Sequence, residues 1–312
     1  IMVESGLVSI LPPALLPAHP SHLEFPGPVS SNAPRTESNL TFHSNQTGLP
    51  REFGPANPRA MILHSTGLYA PPGEPVTVVV PQAIVDSGVS VQVGVHDDTL
   101  WHKSKIWRFP SIVRSYPIAE TQFEVGNAFG GPIFLASPPD APLGSTWAEF
   151  RGGVEAPIYQ HGSTSFSEWQ IIRNRSAPWA EISSDQFIMS VPSSEIRGLD
   201  NPEELMDFWV EALEMEHELY GFMPWPRIER AAFDIQISAG WMHSGYPFMA
   251  HLVSAQEAVD LEHMESEGSW GMFHELGHNH QWNPSRLPGT TETTCNFASV
   301  YLMEDLVGLD LG

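Results

Sequence analysis

The chain has almost no cysteine and almost no lysine. Cys295 is the single cysteine in 312 residues, so no intrachain disulfide can form and the redox compartment stays open. Lys103 and Lys105 are the only lysines, and 14 Lys plus Arg face 37 Asp plus Glu, a formal charge of −23. Phosphate binding needs a basic surface, so a nucleic-acid partner is not expected. Long apolar runs are also missing. No stretch approaches the roughly 18 apolar residues of a membrane helix. The segment from Ile10 to Ala18 is broken by prolines and lacks the basic start of a signal peptide, so it reads as linker or tail. There is no internal repeat, no P-loop and no Gly-Ser arrangement for a serine nucleophile.

The composition that remains is that of a soluble globular protein, with 41% hydrophobic residues, and its length suits two subdomains. Residues 1–55, rich in Pro, Ser and Asn, read as an extended tail. Residues 56–158 read as a β-rich subdomain, with runs such as Val76 to Val80, Val89 to Val93 and Ile133 to Leu135. Residues 159–312 read as mainly helical. Ser165 with Glu168, and Ser254 with Glu257, have capping-box spacing. Asn201-Pro202-Glu203-Glu204 opens a helix in which Leu205, Phe208, Trp209, Ala212 and Leu213 keep helical spacing. Phe187 to Val191 and Ala232 to Ile237 read as strands, the second leading toward Trp241. The expected fold class is α+β, a β-sandwich-like N-terminal region followed by a helical catalytic region.

His274-Glu275-Leu276-Gly277-His278 is the segment that carries chemistry. Two histidines four apart on a helix share a face, so both imidazoles can reach one zinc ion. Glu275 follows the first histidine and can face the open coordination position, where a carboxylate takes a proton from water. A catalytic zinc site keeps three protein ligands. Glu292 is the best third candidate. The loop from Asn283 to Gly289 allows reversal, and Glu292 opens the next helical segment. His280, His263 and Glu304 are the other candidates, but His280 points about 160° away from His278 around the helix. Asn296, one turn after Glu292, can orient a ligating histidine through its other ring nitrogen. Cys295 is close in sequence, yet a small buried core residue is the expected role.

These residues resemble the peptidase M60 (enhancin-like) family of gluzincin metalloproteases. The resemblance rests on 273–281 (Phe-His-Glu-Leu-Gly-His-Asn-His-Gln), on 288–292 (Pro-Gly-Thr-Thr-Glu) and on Asn296. Gly240 to Pro247 looks like the family's segment ahead of the catalytic helix. Gly67 to Glu74 and Asn127 to Pro132 look like its N-terminal β-region. The likeness runs from about residue 55 to the end and is close to the TRPM8 channel-associated factors of the same group, in which the metal motif is degraded. Here both histidines and the glutamate are intact.

The resemblance implies a zinc endopeptidase acting on O-glycosylated, mucin-like proteins, with Glu275 as general base and His274, His278 and Glu292 as ligands. It carries over Trp241, His243 and Tyr246 as cleft residues. Tyr246 or His243 is then the expected oxyanion donor. The alternatives are a binding or regulatory protein like the channel-associated relatives, and a peptidase with no glycan requirement. The negative charge favours neutral glycans. Relatives usually continue with more helices, so a fragment is expected. Sequons at Asn39, Asn45 and Asn174 accompany an expected extracellular location, with the cytoplasm as the alternative.

Overall fold

The computed structural model of the protein describes residues 2–221 and 225–312. The chain opens with helix α1 (Met2–Ile10) and strand β1 (Thr36–Ser44). Seven strands follow: β2 (Ile62–Ala70), β3 (Val76–Val79), β4 (Ser90–Val93), β5 (Arg114–Pro117), β6 (Gln122–Val125), β7 (Gly131–Ser137) and β8 (Gly144–Glu155). They form one sheet in the order β5-β4-β7-β2-β8-β3-β6, with β1 also on β8. β2 and β8 are joined through only two pairs, Leu68 with Glu155 and Tyr69 with Val154. The halves on either side of this junction share a core, with Val78 and Phe150 from one half and Val91 and Leu135 from the other. Period-two burial in β3 and β4 produces it, because alternate side chains of a strand face one side.

The expectation of an extended tail over 1–55 is corrected. β1 pairs antiparallel with β8 from Thr36 to Ser44. Upstream, Leu16, Phe25 and Ala33 are buried in a cluster with Phe129 and Trp179, and the Trp179 indole donates to the Pro26 carbonyl at 2.8 Å. These anchors are too widely spaced to show any period, and β1 is polar on the face it leaves to solvent.

The second half contains β9 (Ile158–Gln160), α2 (Phe166–Ile172), β10 (Trp179–Ser183), β11 (Phe187–Pro192), α3 (Ser193–Ile196) and α4 (Pro202–Tyr220). Then come β12 (Glu229–Asp234), β13 (Met242–His243), β14 (Phe248–His251), α5 (Ser254–Ala258), α6 (Leu261–Ser266), α7 (Trp270–His280) and α8 (Thr291–Tyr301). The strands form a six-stranded sheet, β13-β14-β12-β11-β10-β9. The expectation of a mainly helical catalytic region is therefore wrong. Every residue of β12 is buried, the charged Glu229, Arg230 and Asp234 included, so its sequence carries no period-two alternation.

α4 and α7 cover this sheet. Leu205, Trp209 and Leu213 of α4 and Met272, Phe273 and Leu276 of α7 pack with Phe187, Phe233 and Phe248 of the strands. Full burial of such a side chain contributes about 1.5–3 kcal/mol. The capping box at Ser165 and Glu168 is formed. Pro202 opens α4, but the Asn201 side chain makes no cap hydrogen bond. Ser254 lies inside α5 rather than capping it.

The two halves are locked together by charge. Arg108, from the loop between β4 and β5, holds Asp234 at the end of β12 with a 2.7 Å contact, both side chains fully buried. Among the described residues no helix is long and apolar enough to cross a membrane.

Candidate metal centre

The site is built where α7 crosses α8. Gly277 sits at the crossing. A Cβ on it would lie 2.8 Å from the Cys295 carbonyl oxygen and 2.9 Å from the Ala298 Cβ. Only the absence of a side chain lets the helices approach this closely. The crossing brings the start of α8 over the histidine face of α7. The rings of His274 and His278 stand perpendicular, with centroids 4.6 Å apart. Glu292 Oε2 lies 3.2 Å from His274 Nε2 and 3.3 Å from His278 Nε2. The Glu292 side chain is 75% exposed, so the three donors converge at the rim of the cleft and leave one side open to solvent.

This donor set fits zinc. Tetrahedral ligation at about 2.0–2.1 Å places neighbouring donor atoms about 3.3 Å apart, which matches both carboxylate–imidazole separations. The histidine tautomers fit as well. Asn296 Oδ1 is 2.7 Å from His274 Nδ1 and accepts its N–H, leaving Nε2 free to ligate. Gln281, which sequence reasoning passed over, does the same for His278, with its Oε1 3.2 Å from Nδ1. The Gln281 amide donates in turn to the Thr291 carbonyl at 2.6 Å and the Thr294 hydroxyl at 2.9 Å. The signal for it was a polar residue one turn past His278.

Cys295 belongs to the same cluster, with donor atoms of His274, His278, Glu292 and Cys295 all within 4.8 Å of one another. Its Sγ, however, is equally far from both nitrogens of His274, at 3.5 Å. A point equidistant from Nδ1 and Nε2 flanks the ring and is off the line of the Nε2 lone pair. Burial, together with Glu292 and Glu275, pushes the thiol pKa up to about 12. Sγ also lies 3.4 Å from His278 Nε2, so Cys295 borders the cluster formed by His274, His278 and Glu292.

Glu275 is only 8% exposed. Burial raises its pKa above the usual carboxylate value, against the pull of His278, His274 and His243. A buried carboxylate beside the two imidazoles is suited to accepting and returning a proton.

The three residues carried over as cleft residues divide. Trp241 is 57% exposed, and its indole stacks on His251 with centroids 4.3 Å apart. His243 lies on edge strand β13 and faces Glu275 electrostatically, but both ring nitrogens are engaged: Nε2 is 2.8 Å from Asp98 Oδ2 and Nδ1 is 3.0 Å from the Ser244 carbonyl. Tyr246 is buried. Its hydroxyl accepts from the Leu63 N–H at 3.3 Å, and Arg227 covers its ring at 4.2 Å. His243 has no ring nitrogen uncommitted, and the Tyr246 hydroxyl is buried against the Leu63 backbone, so the structure does not support either as the oxyanion donor.

His280 is fully buried, with Nδ1 2.6 Å from Glu216 Oε2 and Nε2 3.1 Å from His217 Nε2. It anchors the end of α7 to α4 instead of lining the cleft. Neither His263 nor Glu304 joins the metal cluster among the described residues.

Residues 152–311 match the family model described as peptidase M60, enhancin and enhancin-like, and residues 34–146 match that of the N-terminal domain of M60-like peptidases. The chain belongs to the M60 peptidase family. Among curated M60-like relatives, a TRPM8 channel-associated factor homolog from Xenopus laevis is 41% identical over 261 residues, covering 83% of this chain and 29% of that protein. The chain thus spans under a third of that relative's length. Solved M60 neighbours share the fold at low identity. The M60 catalytic domain of Clostridium perfringens ZmpC, in complex with the sialyl T antigen, superposes with a TM-score of 0.64 at 14% identity, covering 86% of this chain and 57% of that one. IMPa from Pseudomonas aeruginosa, in complex with an O-glycopeptide, gives a TM-score of 0.62 at 17% identity, covering 94% and 35%. The family implies a metal.

Proposed function

We propose that the protein is a zinc-dependent endopeptidase acting on O-glycosylated polypeptides. The observation that supports this most is the convergence of His274 Nε2, His278 Nε2 and Glu292 Oε2, with the carboxylate 3.2–3.3 Å from the imidazoles and the buried Glu275 next to His274 in the chain. A zinc ion held by these residues supplies Lewis-acid polarisation of the scissile carbonyl and makes water acidic enough to attack near neutral pH. Asn296 and Gln281 keep both imidazoles in the tautomer that offers Nε2. Glu275 accepts the proton released by the attacking water and hands it to the departing amine. Among the described residues edge strand β13 pairs only with β14, so its other edge can take an extended substrate backbone as an added strand. Exposed Trp241 at the head of β13 offers a stacking face for a sugar or an aromatic side chain.

The glycan part of the reading draws on the neighbours solved with a sialyl T antigen and an O-glycopeptide, and an extracellular setting follows from such substrates. Zinc-loaded protein incubated with one peptide, with and without its O-glycan, tests it. Preferential cleavage of the glycosylated form is expected, and equal cleavage of both forms removes the glycan requirement. A second reading, a non-catalytic partner-binding protein, is favoured by the 41%-identical channel-associated relative. It predicts less than one zinc per chain after purification without chelator.

A further inference from the structure

The loop between β4 and β5 belongs to the N-terminal half, yet it is moored to the peptidase half along the segment that leads into β13. The Trp107 N–H donates to Gln236 Oε1 at 2.7 Å, the Gln236 amide donates to the Lys105 carbonyl at 2.9 Å, and His102 Nε2 donates to the Ser238 carbonyl at 2.9 Å. Leu100 and Phe109 are buried on either side, and Arg108 adds its ion pair with Asp234. Trp107 is thus anchored through its backbone, while its side chain stays 58% exposed.

That indole meets the peptidase half at His251. Trp107 stands edge-on to the imidazole, with centroids 6.2 Å apart at 89°, and Trp241 stacks on the same ring at 4.3 Å and 13°. Trp241 is 57% exposed. The three rings make one aromatic surface with an indole from each half, and both indoles are more than half open to solvent. Large aromatic rings stabilise a fold when buried, so two of them held outward on one surface mark a binding site. The surface lies at the head of β13. Met242, the first residue of that strand, packs on Gly271 of α7, where a Cβ would meet its Sδ at 2.9 Å, and Gly271 is about one turn ahead of Glu275. A substrate strand added to β13 therefore runs from the catalytic helix toward these rings.

We propose that Trp107, together with Trp241, forms a platform for a sugar ring of the substrate, so that the N-terminal half supplies part of the glycan-binding surface. One side of a pyranose ring carries polarised C–H groups that pack on the negative face of an indole. Its hydroxyls stay solvated or meet a polar rim, and His102, Ser104 and Lys105 are exposed beside Trp107. An apolar peptide side chain is held best in a closed apolar pocket, whereas an open platform with a polar rim suits a sugar. The identity of the ligand rests on the peptidase reading, but its binding is measured without turnover.

The test uses the full zinc-loaded chain carrying Glu275→Gln, which keeps the ligand intact. It is titrated calorimetrically with a peptide bearing one O-linked N-acetylgalactosamine and with the same peptide bare. The glycopeptide is expected to bind more tightly. Trp107→Ala keeps the backbone anchor to Gln236 and is expected to weaken glycopeptide binding about ten-fold, with bare-peptide binding unchanged. Trp101→Ala, in the same loop but packed edge-on to Phe109 at 6.4 Å, is expected to change neither. Undiminished glycopeptide affinity in Trp107→Ala overturns the proposal. An equal loss for both peptides overturns it too, because the surface would then hold peptide and not sugar, and so does an equal loss in Trp101→Ala, the sign of a disturbed loop. Failure of the protein with Glu275 intact to cleave, with the Trp107 dependence of binding preserved, sinks the peptidase reading alone. Cleavage with no Trp107 dependence sinks the platform alone.

Discussion

Replacing Gly277 by alanine perturbs the metal centre without touching any ligand. The added Cβ would sit 2.8 Å from the Cys295 carbonyl oxygen and 2.9 Å from the Ala298 Cβ. Ordinary contact begins near 3.4 Å, so the α8 backbone must retreat by about 0.6 Å. Both obstructing groups lie on α8, one of them in its backbone, and cannot rotate aside. Overpacking of this kind costs about 1–3 kcal/mol. The better helix propensity of alanine returns up to about 1 kcal/mol, so the fold should survive with a modest loss. The ligand set should not. Glu292 is about one turn before Cys295 and moves with α8, away from the two imidazoles. A shift of this size compares with the loss of a ligand's supporting contact, which costs about 10–100-fold in metal affinity. Competition for zinc against a chromophoric chelator measures this, with circular dichroism confirming the fold. Wild-type zinc affinity in a folded Gly277→Ala protein would refute the claim that this crossing sets the site.

Asn296→Ala should weaken zinc binding about 10–100-fold by freeing the His274 ring, and Gln281→Ala should act in the same direction through His278; equal affinity in the two variants and the wild type would contradict the tautomer argument. The Asp98–His243 pair should give a pH window of stability. Asp98 is depressed below its usual 3.8 and His243 raised above its usual 6.5. The carboxylate's contribution is therefore lost as pH falls through its folded pKa, and the imidazole's is lost as pH rises through its own. The melting-temperature gap between wild type and Asp98→Asn should be widest between those limits and narrow in alkaline buffer. A gap that widens steadily above pH 8 would reverse the assigned signs.

The convergence of His274, His278 and Glu292 was legible because helical spacing is short-range. His274, Glu275 and His278 lie within two turns, and Glu292 and Asn296 follow one reversal later. Strand β4 was legible from alternation, and α2 from its capping box. The six-stranded sheet was legible only in β11 and the end of β12, read as Phe187 to Val191 and Ala232 to Ile237; Glu229 and Arg230, which open β12, are charged yet buried, and β13 and β14 span only two and four residues. Asp98 was invisible for another reason: it is 145 residues from His243, and nothing local marks a loop aspartate as the partner of a distant histidine. Tyr246 misled because its neighbourhood in sequence is the catalytic segment, whereas its side chain points into the interface with β2.

The central claim is tested most directly by comparing wild type with Glu275→Gln, each loaded with one zinc per chain, on an O-glycosylated peptide. The account predicts equal zinc content, cleavage by the wild type, and a loss of at least about a hundred-fold in kcat for the variant. Equal cleavage by both, or no cleavage by a wild type carrying its full zinc, would contradict it.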